Sequence, residues 1–207
     1  MKYKGIIVSI LVIFCGLLSQ GKGFAFRINK GSVKIQLAKG ETYNGTVEIN
    51  NPSQEPLGIT VYMNDFLYVA PFTGDKEFYP PDSTEFSLAE WVNFSPRQLT
   101  IPPFSEGRVN FMVTPTEEFD SARCGVLFFE SAMGVTEEEG EIVNILGRIG
   151  TLLCVNPKPG NKKVDFYDIK GSNYEIRGRY KNSGDTFLHT EGTYFVMDNE
   201  GMVNDRG

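Results

Sequence analysis

The chain has 207 residues, 26 Asp and Glu against 20 Lys and Arg for a formal charge of −6, and a single histidine among three cysteines. An acidic balance opposes nucleic acid and anionic lipid, which are held by clustered Lys and Arg, so neither is a main partner. No cysteine or histidine stands at metal-ligand spacing, and the expectation is no metal and no cofactor.

The chain opens MKYKGIIVSILVIFCGLLSQGKGFA: two lysines, an uncharged run from Gly5 to Gln20, then small residues around Phe24 at the place of a cleavage site. Residues 1–25 read as a secretory signal peptide. The apolar stretch Ile6 to Leu18 is shorter than the ~20 residues of a spanning helix, so a permanent anchor is the second reading. Phe14 before Cys15 is too large for a lipoprotein cleavage box. Without this segment the chain has 17 basic and 26 acidic residues, a charge of −9, and it lies in an oxidising compartment.

Val33, Ile35 and Leu37 alternate with Lys34 and Gln36, and Val47 and Ile49 alternate with Thr46 and Glu48 beyond the Gly40 turn. Both read as half-buried strands, and LGITVYMNDFLYV after the turn formers of residues 51–56 reads as a third. Pro71 to Glu90 loses the alternation and reads as a surface excursion. SLAEW inside it offers Ser87 and Glu90 at capping-box spacing, hence one helical turn before Trp91, which packs at the core edge. FSPRQLTIPPFSEGRVNFMVTP holds two short strands joined by a turn at residues 102–107, because proline is tolerated at strand ends and in turns. SARCGVLFFES, an acidic loop with Glu137, Glu138, Glu139 and Glu141, and EIVNILGRIGTLLCV follow.

Seven short strands between residues 28 and 155, with no long helical period, predict an all-β fold. The expected architecture is an Ig-like antiparallel β-sandwich over residues 26–155, with Val47, Ile49, Ile59, Val61, Val109, Phe111 and Phe128 in its core. Residues 156–163, NPKPGNKK, read as a linker. Residues 164–207 alternate again, with Tyr174, Ile176, Gly178 and Tyr180 on one face and a turn at Asn182-Ser183-Gly184. About three strands fit there, too few to close a sandwich, so they read as the start of a second Ig-like β domain.

SLAEWVNFSPRQLTIPPFSEGRVNFMVTP followed by SARCGVLFFES resembles the first domain of the PapD-like periplasmic pilus-assembly chaperones, and more closely their divergent chaperone-like relatives. The carriers are Ser95-Pro96, Leu99-x-Ile101-Pro102, Arg108-Val-Asn-Phe111 and Gly125-Val-Leu-Phe128, and YKNSGDTFLHTEGTYFVMDNEG resembles the opening of the second domain. The resemblance implies a periplasmic or otherwise extracytoplasmic protein whose partner is a secreted or pilus subunit, with an outer-membrane usher as a further partner. It also implies that the last strand of the first domain completes the client by β-strand addition, with Val143, Ile145 and Ile149 as the client-facing row and Gly147 as a gap in it. The family anchors the client's terminal carboxylate with two basic residues, for which Lys34 and Arg148 are the nearest candidates here.

The residues do not assemble an enzyme or a small-molecule site. His189 lacks a nucleophile and a carboxylate that would converge on it, and the acidic run reads as solvated loop before calcium site. Cys124 and Cys154 fall opposite one another if their strands pair about residue 139, so a disulfide is one reading and two buried thiols the other. A structural Ig-like module of a larger envelope protein, with no client, is the alternative function.

Overall fold

The computed structural model describes residues 26–138, 141–172, 175–188 and 191–207. The signal segment, Glu139, Tyr174 and His189 lie outside them. Strands β1 (Arg27–Ile28), β2 (Ser32–Gln36), β3 (Tyr43–Asn50), β4 (Leu57–Tyr68) and β5 (Lys76–Tyr79) lead to a 3-10 turn at Ala89–Trp91. Then follow β6 (Val92–Ser95), β7 (Gln98–Ile101), β8 (Glu106–Val113), β9 (Arg123–Glu138) and β10 (Glu141–Asn156).

They make two sheets. One has the order β1-β3-β8-β6; the other has the order β2-β10-β9-β4-β5, with β7 also on β4. Alternation puts Val47 and Ile49 of β3 and Val109, Phe111 and Val113 of β8 against Ile59, Val61, Leu127, Phe129, Leu153 and Val155 of the facing sheet. Each such side chain gains roughly 1.5–3 kcal/mol by leaving water, which is what holds the layers together. Gly45 lies opposite Phe111, and a Cβ there would collide with the Phe111 ring, so the close approach requires glycine. The turn at residues 102–105 carries the chain from β7 in one sheet to β8 in the other. The prolines there end strands and do not interrupt them.

Several expectations need correction. The sandwich has ten strands where seven were expected. The excursion after Pro71 contains β5, paired to β4 from Asp65↔Tyr79 to Tyr68↔Lys76, because Lys76-Glu77-Phe78-Tyr79 is an edge strand too polar to show a buried face. Phe128 is buried, but on the outer face of the larger sheet with Phe66, Val126 and Cys154. The acidic segment is strand as far as Glu138 and again from Glu141, so at those residues acidic composition does not mark a loop. The 3-10 turn has no capping box: it starts from Leu88 without a side-chain cap, while the Ser87 hydroxyl accepts from the Ala89 amide at 3.2 Å and donates to buried Asp65 at 2.7 Å. Asp65 also accepts from the Ser83 and Thr84 amides at 2.9 and 3.0 Å, which satisfies a carboxylate that would be costly to bury alone.

Trp91 is buried in the main core, with its ring 4.8 Å from that of Phe119. Residues 156–163 are tied down by side chains from both flanks. Gln36 donates to the Pro157 carbonyl at 2.9 Å, and the Asn161 amide donates to the Asp185 carboxylate at 2.6 Å. The Phe187 amide donates to the Asn156 side chain at 2.7 Å, and the Asp185 carbonyl accepts from the Ala122 amide at 2.8 Å. Beyond, β11 (Val164–Gly171) pairs β12 (Ile176–Asn182), and β13 (Phe195–Met197) pairs β14 (Val203–Arg206). Phe166, Ile169, Ile176, Phe195 and Met202 in this region are exposed.

Candidate functional site

The site grows out of the β9–β10 hairpin. β10 pairs β9 along its length, from Glu141↔Glu138 to Val155↔Arg123. Its other side is covered by β2 in parallel only from Leu152↔Ser32 to Asn156↔Gln36. From residue 142 to 151, β10 therefore has no strand on that side among the described residues. A row of backbone donors and acceptors at a sheet edge is what a further strand needs.

The core-facing row of β10 reads Val143, Ile145, Gly147, Ile149, Thr151, Leu153, Val155 by period two. Val155, Leu153 and Thr151 are buried, Ile149 is half-buried against the main core, and Ile145 and Val143 are exposed. The row thus leaves the sandwich with its apolar character intact. The opposite row carries Ile142 and Leu146, also exposed. One bulge marks the way out: Ile145 pairs Gly134 and Leu146 pairs Ala132, leaving Met133 of β9 unpaired.

Lys34 and Arg148 are not brought together. Lys34 stands opposite Cys154, six residues from Arg148, about 20 Å of strand and too far for one carboxylate to meet both side chains. Each is engaged within the chain. Lys34 Nζ lies 5.0 Å above the Phe187 ring, and the Arg148 guanidinium lies 4.3 Å from the Phe128 centroid and 5.6 Å from that of Phe78.

Arg148 pairs with Glu130 across the ladder, and Tyr62 bridges the pair: its hydroxyl donates to Glu130 at 2.8 Å and accepts from Arg148 at 3.4 Å. Burial, with Glu130 adding to it, pushes the Tyr62 phenol above its ordinary range, and the Arg148 hydrogen bond opposes the shift. Cys124 and Cys154 face each other in register and are joined by a disulfide, under the aromatic cover of Phe66, Phe128 and Phe187.

Sequence reading overlooks Tyr62, Phe78, Glu130 and Met133. Tyr62 and Glu130 lie on outer faces that carry apolar residues of their own, and Phe78 lies on a strand too polar to show a face, so period two gives no sign that they converge. The signal for Met133 is the Met133-Gly134 pair at the bulge, whose methionine side chain reaches Gly147, and only the register makes it visible. Among the described residues no helix is long and apolar enough to cross a membrane, and no three His, Cys, Asp or Glu side chains converge to hold a metal.

No protein-family model matches the chain, and no curated protein sequence does. Solved structures do. The class 5 fimbriae chaperone CfaA superposes with a TM-score of 0.53 at 14% identity, over 87% of this chain and 79% of that one. A chain of the chaperone–tip adhesin complex of CFA/I fimbriae biogenesis superposes at 0.50 and 16% identity, over 86% of this chain and 75% of that one. At such identities the likeness concerns the fold.

Proposed function

From a fold shared with fimbrial chaperones, we propose that this chain is an extracytoplasmic, chaperone-like protein that holds secreted β-rich or pilus subunits by β-strand addition to the free edge of β10. The observation that carries the reading is the combination on one strand of an open backbone edge at residues 142–151 and an exposed apolar row at Val143 and Ile145, continued by Ile149. An unpaired apolar edge invites aggregation unless a partner covers it. In this reading residues 26–155 are the working domain, 156–163 the junction and 164–207 the start of a second Ig-like domain. Residues 1–25 direct export to the periplasm, an outer-membrane usher is a further partner, and no catalytic step is involved.

The separation of Lys34 from Arg148 favours a second reading, a structural Ig-like module without clients, since no paired carboxylate anchor is assembled. One substitution distinguishes the two. Ile145→Lys places a charge in the client-facing row at a position that is 47% exposed and so contributes little to the core. Capture of a β-sandwich subunit lacking its terminal strand should be lost in Ile145→Lys while the melting transition moves little. Unchanged capture, or no capture by the unsubstituted chain, would leave the structural module as the better account.

A further inference from the structure

The row Val143, Ile145, Gly147, Ile149 lacks a side chain at its third place. A Cβ built on Gly147 would stand 2.7 Å from both Cγ and Sδ of Met133 and 3.4 Å from its Cε. The space that residue 147 leaves vacant is therefore filled, and a residue of the neighbouring strand fills it. The bulge makes this geometry. With Gly134 opposite Ile145 and Ala132 opposite Leu146, Met133 is the extra residue, and the next residue, Gly134, takes a φ of 140° that side chains rarely adopt. Gly134 in turn puts no side chain beside Ile145 on that face. Two glycines on paired strands thus clear a space that one half-buried methionine occupies.

We infer that Met133 of β9 is the third member of the client-facing row, which reads Val143, Ile145, Met133, Ile149, and that it makes the adaptable contact of that row with the client. This rests on the reading of β10 as the strand that pairs with a client. The class of partner follows from the side chains. The groove of a strand-deficient β-sandwich subunit must offer three narrow places for β-branched residues and, between the second and the third, a wider one for a long, unbranched and polarisable thioether. A thioether adapts its three torsions to irregular walls, so this place tolerates variation in the client while the flanking places do not.

The test uses the full mature chain and, as probe, an Ig-like β-sandwich domain truncated by its terminal strand. Four proteins are compared: unsubstituted, Ile145→Lys, Met133→Ala, and Met133→Ala combined with Gly147→Leu. Ile145→Lys should abolish capture. Met133→Ala should weaken it about tenfold, the equivalent of half-burying one large apolar side chain. The double variant, which moves the apolar group from β9 onto β10, should recover to within about threefold of the unsubstituted chain. The labelled Met133 methyl resonance should shift when the probe binds to the unsubstituted protein. Failure of the unsubstituted chain to capture the probe, or indifference to Ile145→Lys, would overturn the strand-addition reading and this inference with it. Loss in Ile145→Lys with full capture by Met133→Ala and an unmoved methyl signal would keep that reading and overturn the role of Met133. Loss in Met133→Ala without recovery in the double variant would also overturn it, since Met133 would then act through the shape of the hairpin.

Discussion

The two halves of the β9–β10 hairpin share strands and a ladder broken by one bulge, and they differ in what lies across from them. In the base, from Ser131↔Gly147 to Arg123↔Val155, Leu127 and Phe129 are wholly buried beneath the facing sheet, and the outer face is closed by the disulfide and its aromatic cover. In the outer half, from Glu138↔Glu141 to Ala132↔Leu146, the pairing persists but Val135, Ile142 and Leu146 are exposed. Hydrogen bonding extends a strand, whereas burial stabilises it. Among its described side chains the outer half has the first with little of the second.

The packing difference between the two halves should show most strongly in the stability of the base. Phe129→Ala should lower the unfolding free energy by about 3–5 kcal/mol in urea titration, from lost transfer energy plus the cavity left behind. A cost below ~1 kcal/mol would mean that the base is no better packed than the outer half. Next comes the Cys124–Cys154 bond, which closes a loop with a sequence separation of 30. The double replacement by alanine should cost about 3 kcal/mol. Amide exchange should then rise first in the outer half, and a uniform rise along both strands would refute the division. Val135→Ala at 67% exposure should stay within about 0.5 kcal/mol of the unsubstituted chain.

The smallest effect sharpens the border between the halves, at the Glu130–Arg148 rung. The Tyr62 phenol titrates high there because burial, joined by Glu130, outweighs the Arg148 hydrogen bond. Arg148→Ala removes the opposing contribution, so phenolate absorbance should emerge at still higher pH; emergence at lower pH would show that Arg148 does not face Tyr62. A phenol raised in the folded state contributes stability that is complete below the ordinary tyrosine value near 10 and is lost as pH rises through the folded value.

Where one face of a strand is buried and the other solvated, the alternation is legible: Val47 and Ile49, or Val109 and Phe111, can be assigned from period two. It fails where both faces are apolar. Gly125-Val126-Leu127-Phe128-Phe129 carries no parity, so the sequence places Phe128 in the wrong layer. It fails again where neither face is buried, as in β5, where a strand and a loop have the same composition. The row Val143, Ile145 and Ile149 can be named from the sequence, but not the residue that fills its gap. A bulge is a difference in count between two strands, and no single strand records it.

The parallel pairing of β2 with β10 has a mechanical consequence. Traction on the chain ahead of β2 and on the chain after β10 pulls two strands that run in the same direction toward opposite ends. The Leu152 amide bonded to the Gly31 carbonyl and the Leu37 amide bonded to the Asn156 carbonyl are then loaded together, in shear. They resist as a set, whereas the rungs of an unzipping hairpin would break in succession. Once the two rungs of β1 release, this five-rung clasp bears the tension, and the β9–β10 hairpin behind it stays unloaded until the clasp yields.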